Sequence, residues 1–414
     1  MCCISKLLGA GVMGRKNRKS SFGPGFLVTA AFIGPGTVTS CSLAGANFGY
    51  TLIFALVFAT ITTIILQEMT GRLSLGSGYD LGQSLREFPK KQLTRLLFII
   101  LTLLSITFGC AAYEAGNIIG GALGLQMITS VPQKIWVLLI SLLAVLILNK
   151  RRYKLVENTL IFLVSLMSLS FLTTIIIVRP DLKSTLNGLL PSFPKNSLYI
   201  TLALIGTTVV PYNLFLHSSA VKQKWHSKTD LKSVRKDLLV SIFLGGLISA
   251  SIVITSAVAF YKQGIPLENG AQMAFQLKPL FGSIANILFG IGIFAAGVSS
   301  AITAPYAAAF ASSGILDWKG GQDSRGFRAV WLAIIIIGLT VSLFDFSPIA
   351  VIIFAQVTNG LLLPVASIFL LIVLNNRRKM GNFVNNIAQN ILGGIVILSV
   401  SFLGIWNIIR VLIK

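Results

Sequence analysis

The sequence predicts an all-α integral membrane protein with about eleven transmembrane helices. Of its 414 residues, 54% are hydrophobic and only 11% are charged, and the mean hydropathy is +0.84. A water-soluble domain of this composition would expose large apolar patches. Apolar stretches long enough to cross a hydrocarbon core of about 30 Å recur along the chain, and the positive charges are concentrated between alternate stretches.

Each apolar stretch is interpreted as one helix, because a helix satisfies its own backbone hydrogen bonds in lipid. The predicted spans are 24–46, 50–71, 96–126, 134–149, 156–178, 196–217, 238–261, 282–313, 329–344, 348–374 and 386–409. Residues 1–20 form a predicted cytoplasmic tail, and 21–414 form one transmembrane domain. The predicted first repeat is 21–178, the second repeat is 196–374, and an extra helix is 386–411.

The distribution of the 34 Lys and Arg residues predicts the orientation of the chain. Most of them lie in the N-terminal segment and in every second loop, which places the N-terminus in the cytoplasm and the C-terminus outside. The other side holds Lys134, Arg179, Lys183, Lys195, Lys262, Lys278, Arg410 and Lys414. The net charge of +22 therefore reflects orientation in a bacterial inner membrane or plasma membrane and not binding of nucleic acid.

Two of the predicted spans are interrupted in their middle. The first contains Gly34-Pro35-Gly36-Thr37, and the sixth contains Gly206-Thr207-Thr208-Val209-Val210-Pro211-Tyr212-Asn213. Proline lacks an N–H and disrupts the preceding turn, while glycine tolerates the dihedral angles of an unwound segment. Paired broken helices at the bilayer midplane are typical of substrate sites in secondary transporters. Breaks in spans one and six also indicate two repeats of five helices, with an eleventh helix added.

At these residues the sequence resembles the NRAMP family of proton-coupled divalent metal transporters. The resemblance covers nearly the whole chain, and it implies a fold like that of the bacterial leucine transporter, with inverted repeats. It is carried by Gly23-Pro24-Gly25-Phe26-Leu27, Ala44-Gly45-Ala46, Phe48-Gly49-Tyr50, Leu66-Gln67, Arg72-Leu73, Asp80-Leu81, Val210–Ser218, Ala296–Thr303, Ala355-Gln356-Val357, Leu363-Pro364 and Arg377–Gly381.

The chain departs from the family pattern at the binding site. The family has Asp-Pro-Gly-Asn in helix one and Met-Pro-His in helix six, whereas this chain has Gly34-Pro35-Gly36-Thr37 and Val210-Pro211-Tyr212. The carboxylate, amide and thioether that the resemblance implies are therefore absent. Two acidic residues of the family's third helix, used in proton movement, align with Glu114 and Asn117.

These residues are compatible with two classes of substrate. A hard cation such as magnesium, or alternatively manganese or iron, could use oxygen ligands, with Thr37 and Gln356 as the predicted metal ligands. The predicted substrate site also includes Gly34, Gly36, Thr207, Val210, Tyr212 and Asn213. The alternative cargo is an amino acid, a small organic acid or another anion, held by the free N–H groups of the helix that follows the Gly-Pro-Gly break.

The remaining predictions concern protons and charges within the spans. Glu114 is an acid deep in a span, which makes it a candidate for coupling a proton, together with Asn117 and His217. Glu68 and Arg72 are four residues apart and are predicted to form a structural ion pair. Neither a disulfide among Cys2, Cys3, Cys41 and Cys110 nor a cofactor nor an enzymatic activity is expected. The expected partners are membrane lipid, the transported ion or solute and a coupling proton.

Overall fold

The structure is a computed structural model that describes residues 23–89, 91–150 and 154–412. Within these ranges every regular element is a helix. The predicted tail 1–20, with Cys2 and Cys3, lies outside the described residues. Cys41 and Cys110 are buried free thiols.

Seventeen α-helices are distinguished in the described ranges, and short 3₁₀ turns join several of them. They are α1 (Pro24–Phe32), α2 (Pro35–Phe48), α3 (Ile53–Ser77), α4 (Leu81–Glu87), α5 (Gln92–Gln126), α6 (Gln133–Lys150), α7 (Lys154–Val178), α8 (Leu182–Asn187), α9 (Leu198–Thr208), α10 (Pro211–Lys224), α11 (Leu231–Ala259), α12 (Lys278–Phe281), α13 (Ala285–Leu316), α14 (Arg325–Leu343), α15 (Pro348–Leu374), α16 (Arg377–Met380) and α17 (Ile387–Leu412).

The number of membrane spans is close to the prediction. In the described residues, nine helical segments are long and apolar enough to cross a membrane, and α1 with α2 makes a tenth if the bent pair is one span. The segment Gln133–Asn149 is apolar but shorter. The predicted total of eleven is reached only when this shorter helix is included.

Both predicted breaks are present. The axes of α1 and α2 differ by 60°, and the chain leaves the helical conformation at Ile33 (φ −80°, ψ 86°) and Gly34 (φ −133°, ψ −173°). Helix α9 ends in the same way at Val209, and Val210 is extended before Pro211 begins α10. In each case a proline occupies the first turn of the second half-helix, where its missing N–H costs nothing.

The long helix α5 lies at the centre of the packing, in contact with α13, α14 and α15. Helix α11 packs along α1, α2 and α3, and α15 packs along α9. Both breaks are therefore enclosed by full-length helices, and the residues around them are buried. The large exposed apolar side chains lie mainly on α5, α6, α7, α11 and α17, with three more on α14, as expected for helices that face lipid.

The predicted ion pair between Glu68 and Arg72 is confirmed, with 3.2 Å between Oε2 and Nε. Arg235 on α11 contacts the other Glu68 oxygen at 2.7 Å. The Arg72 guanidinium also donates to the Phe383 carbonyl and to Asn385 Oδ1. These bonds join the ends of α3 and α11 to the segment before α17.

The start of α1 is fixed by one carboxylate. Asp237 on α11 accepts from the Gly23 N–H through one oxygen and from the Gly25 N–H through the other, each at 2.6 Å. Pro24 between them has no N–H, so both backbone donors at this turn are satisfied by one side chain. A Cβ at Gly25 would lie 2.8 Å from the Asp237 carbonyl oxygen, so glycine permits this close approach.

We predict that Asp237→Ala lowers the stability of the protein by roughly 2–4 kcal/mol, because two charge-assisted hydrogen bonds are lost and one buried and one half-buried donor are left unpaired. Thermal unfolding of the detergent-solubilised protein measures the effect. Asp181→Ala is the control, since Asp181 also caps a helix start but is exposed. Equal decreases in melting temperature for the two variants would contradict the assigned role of Asp237.

Candidate functional site

The two breaks contact each other through a pair of threonines. The Thr37 hydroxyl lies 2.8 Å from the Thr207 hydroxyl, although the two residues are far apart in sequence. Thr37 also donates to the Phe32 carbonyl, at the end of α1. Because a carbonyl can only accept, Thr207 supplies the proton of the Thr37–Thr207 bond. The hydrogen bond joins the two predicted repeats beside the breaks, from the first turn of α2 to the last turn of α9.

Backbone groups at the breaks lack partners within their own helices. Neither Gly34 nor Val210, which precede the second half-helices, provides a side-chain cap. The N–H groups of Gly36 and Thr37 at the start of α2, and of Tyr212 at the start of α10, precede the first intrahelical donors and are therefore available to a ligand. Asn213 and Tyr212 lie in this first turn of α10, and their buried side-chain polar atoms have no hydrogen-bond partner.

Helix α15 brings Gln356 against both breaks. A Cβ at Gly36 would overlap the Gln356 carboxamide, and a Cβ at Gly206 would overlap the Gln356 carbonyl oxygen. Glycine at each position therefore permits α15 to approach this closely. The Gln356 Nε2 group is 3.4 Å from the Ile352 carbonyl, whereas Oε1 is buried without a partner. Gln356 thus presents a free carbonyl-type oxygen beside Gly36.

The opposite side of Gly34 is lined by hydroxyl groups. A Cβ at Gly34 would lie 2.9 Å from Ser300 Oγ on α13 and 3.9 Å from the Tyr113 hydroxyl on α5. The Tyr113 ring meets the Tyr212 ring edge to face, with 6.1 Å between centroids. Both phenol groups are buried without hydrogen-bond partners. Gly34 is thus bordered closely by neutral hydroxyl groups.

Glu114 follows Tyr113 on α5 but faces a different helix. Its side chain is fully buried, and its methylene groups lie against Gly338 of α14, where a Cβ would approach to 2.6 Å. Asn117 is the neighbouring polar side chain, yet neither Glu114 oxygen has a hydrogen-bond partner. An acidic side chain buried within a membrane span is a candidate functional group.

His217 lies apart from the breaks, further along α10. Its Nδ1 is 2.8 Å from the Thr70 hydroxyl of α3, and its ring lies against Gly71. The other ring nitrogen, Nε2, is buried without a partner. The structure therefore brings together Gly34, Gly36, Thr37, Thr207, Tyr212 and Gln356, while Glu114 and Asn117 form a neighbouring group and His217 a separate one.

Three residues of this region were not in the predicted site. Ser300, Gly206 and Gly338 border Gly34, Gln356 and Glu114 respectively. Ser300 belongs to the small polar run Gly297-Val298-Ser299-Ser300 inside an apolar span, which is the one signal that could have indicated it. Gly206 was part of the predicted break, but the helices that approach Gly206 and Gly338 could not be predicted because they depend on tertiary packing.

The atoms at the breaks that could coordinate a metal ion are oxygens. Among the described residues, no three His, Cys, Asp or Glu side chains are grouped to hold a metal. The available groups are the Thr37 hydroxyl, Gln356 Oε1, Asn213 Oδ1 and backbone carbonyls. Such groups suit hard cations, which prefer oxygen, better than soft transition metals.

A helical membrane protein with two facing broken helices belongs structurally to the secondary transporters. The sequence profile of the Nramp family, natural resistance-associated macrophage protein-like, matches residues 25–410. The chain is 32% identical to the divalent metal cation transporter MntH of Nostoc sp. over 404 residues, which cover 94% of this chain and 90% of that protein. It is 29% identical to MntH of Bradyrhizobium diazoefficiens, with coverages of 92% and 88%. The chain belongs to the Nramp family.

Solved structures of other transporters have the same fold as this chain. The manganese transporter of Eremococcus coleocola, in complex with an aromatic bis-isothiourea substituted compound, superposes with a TM-score of 0.77 at 22% identity. The superposition covers 96% of this chain and 89% of that one. MhsT in complex with L-phenylalanine gives a TM-score of 0.60 at 15% identity, over 94% of this chain and all of the other. The predicted family and the predicted leucine-transporter-like fold are confirmed.

The contact between the breaks can be measured with a double-mutant cycle. We predict that Thr37→Val and Thr207→Val each destabilise the protein, Thr37→Val more so because it also leaves the Phe32 carbonyl unpaired. The double variant should be less destabilised than the sum of the two by about 1 kcal/mol, the worth of one buried hydrogen bond. Equilibrium denaturation in detergent provides the free energies. Additive effects would show that the two hydroxyls do not interact.

Proposed function

We propose that this protein is a secondary transporter that moves a divalent metal cation by alternating access. The observation that carries the proposal is the Thr37–Thr207 contact, because it joins α2 and α9 beside the two breaks, where the Gln356 side-chain oxygen lacks a partner. A midplane site between two broken helices is the arrangement that secondary transporters use. The proposal is supported by the names of the relatives, which are divalent metal cation transporters.

The proposed ligands are the Thr37 hydroxyl, Gln356 Oε1 and carbonyls of the breaks, with Gly34, Gly36, Thr207, Val210, Tyr212 and Asn213 lining the site. Oxygen ligands favour magnesium, or manganese and iron held with part of their water. Without a carboxylate at position 34, no ligand of this set compensates the charge of the ion. Affinity is therefore expected to be lower than in a site with an acid.

A second candidate cargo is favoured by the uncapped start of α2. Its free N–H groups, next to the hydroxyl of Thr37, could receive the carboxylate of an amino acid or a small organic acid. Because residue 34 is glycine, it places no negative charge at this helix terminus. An anion bound there would therefore not be repelled by the side chain of residue 34. The two candidates differ in the sign of the charge that the same groups must receive.

A thermal-shift comparison distinguishes the two cargoes, because a ligand that binds the folded state raises its stability. The parent and the double variant Gly34→Asp/Ser300→Ala are tested with manganese, magnesium, calcium, amino acids and organic acids. We predict that the divalent cations stabilise the parent weakly and the double variant strongly, because the new carboxylate supplies the missing charge.

The geometry determines the design of this variant. Gly34 has extended dihedral angles that aspartate can adopt, and Ser300→Ala removes the oxygen that a Cβ would meet at 2.9 Å. Ser300→Ala alone is the control and should bind like the parent. If amino acids stabilise the parent and no cation does, the proposed cation cargo is wrong and the anion is correct.

We also propose that Glu114 couples transport to a proton, with Asn117 and His217 as polar groups that assist its movement. Glu114→Gln keeps the shape of the side chain but cannot exchange a proton at any relevant pH. In proteoliposomes, uptake by the parent should accelerate when the pH is lower on the side of entry, whereas uptake by Glu114→Gln should not respond to that gradient.

Glu268→Gln is the matched control for coupling, since Glu268 is an exposed acid in a loop. It should retain the response to the gradient. A Glu114→Gln variant that still responds like the parent would remove Glu114 from the proton path, while leaving the cation site between the breaks untouched.

The proposed orientation has the N-terminus in the cytoplasm and the C-terminus outside, with repeats over 21–178 and 196–374 and an extra helix at 386–411. The ion pair of 2.7 Å between Arg86 and Asp317 supports it, because it joins two segments that the charge distribution assigns to the same side. The proposed partners are the cation, a proton and lipid of the inner or plasma membrane. The proposal includes no nucleic acid, no cofactor and no enzymatic reaction.

A further inference from the structure

A cleft opens between the end of α6, the start of α14 and the second half of α13, away from the two breaks. It is lined by Asn149 of α6, Tyr306 of α13 and Phe327, Arg328 and Trp331 of α14, with Gln322 on the preceding turn. We propose that this cleft binds the phosphate headgroup of an anionic phospholipid.

The charge of the cleft suits an anion. Arg328 is exposed, and the ion pairs of the described residues do not include it. A guanidinium offers several N–H donors in a planar arrangement that matches phosphate oxygens. The amide of Asn149, which is exposed on α6, lies on the same cleft and can donate to a remaining phosphate oxygen.

The floor of the cleft is aromatic. Trp331 and Tyr306 are almost fully buried, and the Tyr306 ring contacts the Phe327 ring edge to face, with 5.3 Å between centroids. Tryptophan and tyrosine are enriched at the level of lipid headgroups, where one end of the ring is apolar and the other is polar. The cleft therefore has the composition of the membrane interface and not of an internal aqueous site.

Two apolar stripes extend from the cleft along neighbouring helices. On α14, Leu332 and Ile336 follow Arg328 at intervals of four residues and are 39% and 52% exposed. On α6, Leu146 and Leu142 precede Asn149 and are 47% and 54% exposed. Residues at these spacings share a helix face, and α6 packs against α14. The stripes would receive acyl chains, which favours a phospholipid over free phosphate.

The test uses the whole protein in nanodiscs of phosphatidylcholine that contain phosphatidylglycerol as the anionic probe. Native mass spectrometry measures how much phosphatidylglycerol stays bound after release from the disc. We expect Arg328→Gln to reduce this binding about fivefold, the effect of one cation near a lipid surface. Arg325→Gln is the matched control, because Arg325 is an exposed cation on the same helix turn but does not line the cleft.

Further measurements separate the sources of phosphate and exclude unfolding. Ile336→Gln should weaken binding of phosphatidylglycerol, and an excess of inorganic phosphate or glycerol 3-phosphate should not displace the lipid. Displacement of phosphatidylglycerol by these soluble ions would contradict the assignment of a lipid. Equal losses of phosphatidylglycerol binding in Arg328→Gln and Arg325→Gln would contradict the assignment of the binding site to this cleft. Unchanged melting temperatures in discs of phosphatidylcholine alone verify that the variants are folded.

Discussion

The close approach of α15 to Gly36 and Gly206 is the constraint on which the centre of this protein depends. It places Gln356 between the two unwound segments and leaves room for the hydrogen bond between Thr37 and Thr207. A side chain at either glycine would separate α15 from one break. The polar character of the site is therefore a result of packing, because tightly packed helices bring together groups that are distant in the sequence.

Several buried polar atoms in and near the site have no hydrogen-bond partner. Tyr113, Glu114, Tyr212, Asn213 and Gln356 all carry such atoms, although an unpaired buried polar group costs free energy. Proteins of the membrane interior retain such groups where a ligand, a proton or water completes their bonding. Unpartnered buried atoms also occur elsewhere among the described residues, but those of Tyr212, Asn213 and Gln356 lie at the breaks, where a ligand would complete their bonding.

Local chemistry explains what was predictable from the sequence. Proline with glycine in an apolar span marks a break wherever the helix packs, so both breaks were predicted within a residue or two. The Glu68–Arg72 pair follows from spacing on one helix, but the additional contacts of Arg72 with Phe383 and Asn385 do not. Ser300 and Gly338 were missed because each acts through a neighbouring helix. The short span Gln133–Asn149 shows why counting helices by length alone is uncertain.

The single carboxylate at the start of α1 has a mechanical consequence. Pro24 reduces the demand for acceptors at that turn, so Asp237 alone satisfies Gly23 and Gly25. At its other end α1 continues into α2 through Ile33 and Gly34, outside the helical conformation. This nine-residue segment therefore has a bend at one end and the two bonds to Asp237 at the other, and it packs along α11 between them. Loss of those two bonds would leave the position of its first turn to side-chain packing alone.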